Sequence, residues 1–398
     1  MSVSTIAVVT GSRAEFGLLR SVMRAIRDHP RLRLATVVAG SHLLAPAETV
    51  LEVAGEFEID ERVTMQVGGD GRHDGATGGR TCEGRLADAE AAARGMAGFC
   101  GVLRRLAPQA VVVLGDRIEA FAAASAASIA GAAVAHIHGG DRAEGIADES
   151  MRHAITKLSH IHFAATRESA ERLARMGEDA ARIHLVGSPA IDIIGDVEPM
   201  SDAAARELGD PRAVVLLHPS GQSAEHEAET ARRVSEATRS VFGRRVLALS
   251  PNHDAGRGAL LKEINMSAEK FGWRRVEHVP RETFVGLLKR LSVDQTETRG
   301  VLVGNSSAGL IEAAATRTMC VNIPPRQNGR ERGGNVLDYC GGEPEGIEAL
   351  LRAAQAAPGE QVPGSHPYGD GTSGKRIAAI LAATDLTDPA LVRKRNWY

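Results

Sequence analysis

Between Val111 and Phe163 the chain places the acids Asp116, Asp141, Glu144, Asp148 and Glu149 beside His136, His138 and His153, at the ends of apolar runs reading VVVLG and AVAHIH. Carboxylates and imidazoles are the side chains that move protons near neutral pH, and the carboxyl ends of strands in an open α/β sheet are where ligands bind. Asp116 and Arg117 follow the first run at a βα corner, so both should reach a crevice; helix capping by Asp116 is the plainer alternative. Asp148 and Arg152 stand four apart on one helix face, where they either orient each other within a site or form a surface ion pair worth about 0.3 kcal/mol.

The opening strand runs into TGSRAEFGLLR, in which Gly11 turns the chain and Arg13 precedes a helix starting near Glu15. A helix N-terminus with an arginine suits an anion, although a tight turn with a solvated arginine looks the same in sequence. The G-x-G-x-x-G spacing is missing, which argues against a dinucleotide cofactor held in that way. His136 and His138 alternate on one strand, as His160 and His162 do on the next, but no third ligand is evident and hydrogen-bonded histidines are the commoner case; no metal is expected. In the second half VVLLHPSG puts His218 at a strand end, and LALSPNHDAGRG does the same for Asn252, His253 and Asp254. GNSSAGLIEA then gives a turn of Asn305, Ser306 and Ser307 and a helix carrying Glu312 about two turns in. Free N–H groups and hydroxyls at a helix start suit a diphosphate, and a carboxylate deeper in suits ribose hydroxyls; an N-cap at Ser306 is the bland alternative.

Short apolar runs alternating with amphipathic stretches must position these residues, the pattern of βαβ units around a parallel sheet. Strands are expected at Ile6–Val9, Leu34–Val38, Ala110–Leu114, Ala133–His138, Ile161–Ala164 and Ile183–Val186, then at Ala213–Leu217, Arg245–Leu249, Gly300–Val303 and Met319–Ile323. Helices are expected at Glu15–Arg27, Arg85–Leu106, Glu119–Ala130 and Asp148–Ser159. A chain of 398 residues exceeds the roughly 250–300 at which one core stops growing, so two domains are expected, 1–195 and 196–374, with the helix from Lys375 folding back on the first. The glycine-rich run 67–85 is either a lid or a surface loop, and 293–300 reads as a surface insertion. A net charge of -3 without a basic run makes nucleic acid an unlikely partner. Cys82, Cys100, Cys320 and Cys340 form no C-x-x-C, and no segment has ~18 uninterrupted apolar residues, so a cytoplasmic protein without a membrane partner is expected.

With these motifs in order, TGSRAEFGLL, GDR, HIHGGDRAEG, DESMRHAITKLSHIHF, HPSG, SPNHD, GNSSAGLIEA and VNIPPRQNGR, the chain resembles the UDP-N-acetylglucosamine 2-epimerases over nearly its whole length, and among them the hydrolysing branch of sialic-acid-like pathways. The resemblance implies two Rossmann-like, doubly wound parallel-sheet domains facing a cleft, as in GT-B glycosyltransferases, a homodimer or homotetramer, and neither NAD nor an obligatory metal. It implies anti-elimination of UDP to a 2-acetamidoglucal, followed by addition of water, releasing N-acetylmannosamine, or return of UDP. By position, Asp116 and Asp148 match the catalytic acids and Arg117 and Arg152 charged residues of their pocket; Arg13, His218, Asn252, Ser306, Ser307, Glu312 and Arg326 match positions holding the nucleotide or its diphosphate. His138 stands where HIEGG-type members carry glutamate, so either it or Glu144 is expected as base. Pro324, Pro325 and Asn328 replace Gly-Asp and Lys, and AGSHLL replaces the glutamine-containing motif of the non-hydrolysing branch, which favours hydrolysis. A GT-B glycosyltransferase and a nucleotide-sugar sensor without turnover are the competing readings.

Overall fold

The computed structural model describes residues 3–44, 49–66, 82–143, 149–252, 256–292, 299–343, 345–357 and 365–397. Asp148, Glu144, His253, Asp254 and most of the two irregular segments, 67–81 and 293–298, lie outside them.

The first half builds strands β1 (Ser4–Thr10), β2 (Leu32–Ala39), β3 (Glu61–Val63), β4 (Ala110–Leu114), β5 (Ala133–Ile137), β6 (Ile161–Ala164) and β7 (Ile183–Leu185). The second builds β8 (Ala213–Leu216), β9 (Val246–Leu249), β10 (Arg274–Val276), β11 (Val301–Gly304), β12 (Met319–Asn322) and β13 (Val336–Asp338). Both sheets are parallel, in the orders β3-β2-β1-β4-β5-β6-β7 and β10-β9-β8-β11-β12-β13. The chain therefore reverses its direction of winding twice, between β1 and β4 and between β8 and β11, and each reversal opens a crevice at the carboxyl ends of those strands. Registers of Ile6 with Ala110 and of Val301 with Ala213 bring those ends level. Gly304, with φ of 148°, closes β11 where an added Cβ would lie 2.0 Å from the Leu216 carbonyl oxygen, so glycine is required at that switch point.

Local chemistry explains the elements that carry the site. Ser12 caps the helix Arg13–Arg27 by accepting from the Glu15 N–H, and Phe16, Leu19, Val22, Met23 and Ile26 form its buried stripe against the first sheet. Each such side chain contributes about 1.5–3 kcal/mol on burial. The alanine-rich helix Ile118–Ile129 is buried nearly all round, packed against the helices Cys82–Leu106 and Glu149–Leu158 on the sheet's other face, and small side chains allow that close approach. The helix Ser373–Ala383 lies on Arg13–Arg27: Ile377, Ala378 and Leu381 join the same core, and Asp192 accepts from the Ser373 and Gly374 N–H groups at 2.9 and 2.7 Å. Tyr368, wholly buried, joins Ala190, Ile191, Leu310 and Ile311 where the two sheets' layers meet.

The chain end is fastened by charge. Buried Glu178 accepts from Lys157 Nζ at 2.9 Å, His162 Nε2 at 2.9 Å and Lys394 Nζ at 2.6 Å. Burial pushes its carboxyl up, but His162, Lys394 and Lys157 hold it at about 2. Glu178→Gln leaves both ammonium groups without their counter-charge, and we expect a loss of about 3–5 kcal/mol by urea denaturation. No described helix is long and apolar enough to cross a membrane.

Candidate active site

The first switch point presents Gly11 to Arg13 after β1 and Asp116 with Arg117 after β4. Asp116 does not cap the following helix, whose N-cap is Arg117 with no side-chain cap bond. Its carboxylate is instead held by the guanidinium of Arg152, with 16% of the side chain still exposed. Arg152 donates its other amino group to the Asp141 carbonyl at 3.0 Å. Its guanidinium is pulled down to about 9, first by burial and then by the charges of Arg330 and Arg326. The charges of Arg330 and Arg326 thus act on the arginine that holds Asp116, with Asp141 as a second carboxylate against Arg330, and such a gathering of positive charge suits an anionic ligand.

Arg117 faces buried Glu119 at 3.4 Å, and Gln66 donates to the same carboxylate at 3.3 Å. Glu15, which the sequence offered only as a helix start, is buried beside this group; burial and then the Glu119 charge raise it to about 8, against the pull of the Gly11 N–H and Arg117, so it carries its proton at neutral pH. Arg13 is engaged with Glu52, Nε at 3.0 Å and a terminal amino group at 2.7 Å, so a ligand would have to compete for it.

The histidines are each committed to neighbours. His136 donates from Nε2 to the Gly115 carbonyl at 2.8 Å and meets Thr156 Oγ1 through Nδ1 at 3.2 Å; burial drives it down to about 3. His160 Nδ1 accepts from the Val134 N–H, and His162 is spent on Glu178. His138 meets Asp141 Oδ2 through Nδ1 at 2.8 Å and Ser188 Oγ through Nε2 at 3.0 Å, so its ring faces inward rather than into the crevice.

At the second switch point Asn305 staples the two loops: its side-chain carbonyl accepts from the His218 N–H at 2.7 Å and its amide donates to the His218 carbonyl at 2.8 Å. The His218 Nδ1 accepts from the Asn252 N–H at 3.1 Å, which leaves the ring hydrogen on Nε2 as a donor. Arg326 and Gln327 both donate to the Asn305 carbonyl, at 3.4 and 2.9 Å. Ser306 is indeed a cap, but of the 3-10 turn Ser307–Gly309. The expected helix with Glu312 two turns in is corrected: α-helix begins at Glu312 and ends at Ala315. The turn offers an anion hydroxyls and nearby arginines rather than a helix dipole. Glu312 is buried because Arg281 donates to it at 3.1 Å. Neither Arg281 nor Arg330 was singled out in the sequence; the arginine-dense RQNGRER was the available signal for Arg330.

The halves meet through these residues. Arg330 reaches Asp141 Oδ2 at 3.4 Å, and Arg172 joins the Gly140 carbonyl at 2.9 Å to Glu331 at 2.7 Å. Arg20 reaches Glu282 at 3.1 Å. Two Rossmann-like units, each with a switch point at its strand ends, form a GT-B-like architecture. The chain belongs to the UDP-N-acetylglucosamine 2-epimerase family, whose sequence model it matches over residues 24–382. A UDP-N,N'-diacetylbacillosamine 2-epimerase (hydrolyzing) from Legionella pneumophila is 34% identical with 99% of both chains covered. A UDP-N-acetylglucosamine 2-epimerase from Neisseria meningitidis serogroup B is 30% identical over 84% of each. Among solved structures, a UDP-GlcNAc 2-epimerase from Neisseria meningitidis bound to UDP-GlcNAc shares the fold with a TM-score of 0.74 at 16% identity, covering 96% of this chain and 100% of that one. The Methanocaldococcus jannaschii enzyme in complex with UDP-GlcNAc and UDP gives 0.72 at 17%, with 96% and 100% covered.

Proposed function

We propose that this chain is a hydrolysing 2-epimerase of a UDP-linked 2-acetamido sugar. The observation that carries the reading is the Arg152–Asp116 pair, with Arg330 held on neighbouring Asp141 and the charges of Arg330 and Arg326 acting on Arg152. A departing diphosphate needs fixed positive charge, and a weakly acidic C2–H needs a carboxylate close by in a water-poor cleft. In the first step a base takes the C2 proton as the C1–O bond to UDP breaks, giving the 2-acetamidoglucal. In the second, water adds to C1 and a proton returns to C2 on the opposite face, releasing the 2-epimeric sugar.

Asp116 takes part in the proton transfers with Arg152 orienting it, and Asp148, matched to the second acid, lies outside the described residues. His218, Asn252, Ser306, Ser307 and Arg326 hold the diphosphate and uridine, Glu312 with Arg281 behind it meets the ribose, and Arg13 and Arg117 line the opposite wall. Asn305→Ala would take its side-chain partner from both His218 backbone groups, at about 1–3 kcal/mol. We expect UDP affinity to fall about 10- to 100-fold by calorimetry, with kcat less affected.

A second reading concerns the sugar. The Legionella pneumophila relative, alignable end to end, is named for UDP-N,N'-diacetylbacillosamine, and this favours an N,N'-diacetylated sugar over UDP-N-acetylglucosamine. Proton NMR of each nucleotide sugar with the protein in deuterated water tests both points. Free 2-epimeric sugar with deuterium at C2 is expected, formed faster from the diacetylated substrate. A nucleotide-linked product would move the chain to the non-hydrolysing reaction, and UDP release only with an added acceptor would make it a glycosyltransferase.

A further inference from the structure

We infer that His138 is a positioning residue and not the C2 base: with Asp141, Ser188 and Arg330 it forms a strut across the junction of the two halves that fixes the Asp116–Arg152 pair. The inference rests on the reading of Asp116 and Arg152 above. A base must present a lone pair to its substrate, and neither nitrogen of this ring has one to offer. Asp141 accepts from Nδ1–H, so Nε2 is the bare nitrogen, and the Ser188 hydroxyl occupies it at 3.0 Å. The side chain is only 7% exposed.

The connectivity, Asp141 to His138 to Ser188, is that of an acyl-transfer triad, but Ser188 is not a nucleophile. It is fully buried, and its oxygen accepts from the Ala190 N–H at 3.2 Å as the cap of the turn Pro189–Ile191. The serine belongs to the segment linking β7 to the second half, so the ring is anchored to the crossover. From Asp141 the chain of contacts runs in two directions. The carboxylate accepts from Ser169 Oγ at 2.8 Å and, at 3.4 Å, from Arg330 of the second half. The carbonyl of the same residue accepts from Arg152, which holds Asp116. Burial would push the Asp141 carboxyl up; His138, then Arg330 and Ser169, keep it ionised.

The backbone supports this reading. His138 has φ of 65°, a left-handed conformation that a glycine would adopt at lower cost, yet the position carries a bulky ring. The ring is kept there by what it bonds. The charged groups around it are Asp141 and Arg330, with Arg152 behind the Asp141 carbonyl, and the neutral His136 lies two residues before it on β5.

The test compares His138→Asn, which keeps a donor for Asp141, with His138→Ala, which keeps none, following C2 deuterium incorporation and the pH profile of kcat/KM. The strut predicts that Asn holds kcat within about tenfold of wild type with an unmoved profile, whereas Ala loses about 10- to 100-fold and shifts the limb belonging to Asp116. Loss of more than about 10³-fold in both variants, with one limb gone, would make His138 the base and overturn the inference; so would an Ala variant indistinguishable from wild type. Wild-type protein that forms no deuterated product fails the functional reading alone. The strut is then read from imidazole ¹⁵N shifts, assigned by difference from His138→Asn, where a protonated Nδ1 with an accepting Nε2 supports it and the reverse tautomer refutes it.

Discussion

Asp116→Asn lowers kcat by about 10²–10⁴ while UDP binding stays at least as tight as in wild type. Asparagine preserves the shape of the side chain and can still meet Arg152, so the arginine cluster should keep its place. What is lost is the ability to take a proton, and with it one negative charge beside the seat of the diphosphate. Charge removal next to an anion cannot weaken its binding electrostatically, so the effect falls on turnover alone. Single-turnover NMR in deuterated water and calorimetry with UDP check the two halves of the statement. A variant that exchanges C2 hydrogen at the wild-type rate would remove Asp116 from the chemistry. One that has lost UDP affinity as well would show that the carboxylate organises the arginines rather than acting on the sugar.

The central strands were legible because β1, β4, β5, β8, β11 and β12 are mainly apolar runs buried on both faces over most of their length, which leave a near-continuous apolar signature. The strands β3, β10 and β13 were missed because each is three residues long at or next to a sheet edge, and ERV, RRV and VLD carry charges that face water. Strand-end placement made Asp116, His218 and Ser306 readable as candidate site residues, and the structure puts them at the two switch points. The direction of the His138 ring was not, since it depends on a left-handed backbone angle and on Ser188 fifty positions away in sequence. The helix expected after GNSSAG fails for an equally non-local reason. Asn335 takes the Gly309 carbonyl at 3.2 Å, and Gly309 lies so close to Cys320 that an added Cβ would stand 2.4 Å from its sulfur. Both contacts come from residues beyond β11 and spoil a ladder that local propensity favours. Arg281 and Glu312, thirty-one positions apart, pair for the same kind of reason.

Between pH 6.5 and 5 the folded protein should lose about 5 kcal/mol of stability, a large part of the roughly 5–15 kcal/mol that a domain possesses. Burial pushes His136 down to about 3 and His42 and His160 down to about 4. In the unfolded chain the same rings titrate near 6.5, so as the pH falls below that value the unfolded state gains protons that the folded state refuses. Each ring then costs about 1.4 kcal/mol per pH unit until its folded value is reached, and above 6.5 the three contribute no slope. The carboxylates act lower down: Glu178 and Asp141, held at about 2, withdraw their contributions only below their ordinary values of 4.5 and 3.8. Urea midpoints at pH 7.5, 6 and 5 should therefore stay high and then drop steeply, and a midpoint unchanged down to pH 5 would refute the account. His136→Gln should reduce the slope by about one proton. The same substitution tests a link to the site, because His136 Nε2–H holds the Gly115 carbonyl, one residue before Asp116. Because the folded ring stays neutral down to about pH 3, its Nε2–H on the Gly115 carbonyl and its Nδ1 contact with Thr156 both persist across that window, so any acid loss of activity should track the unfolded fraction alone.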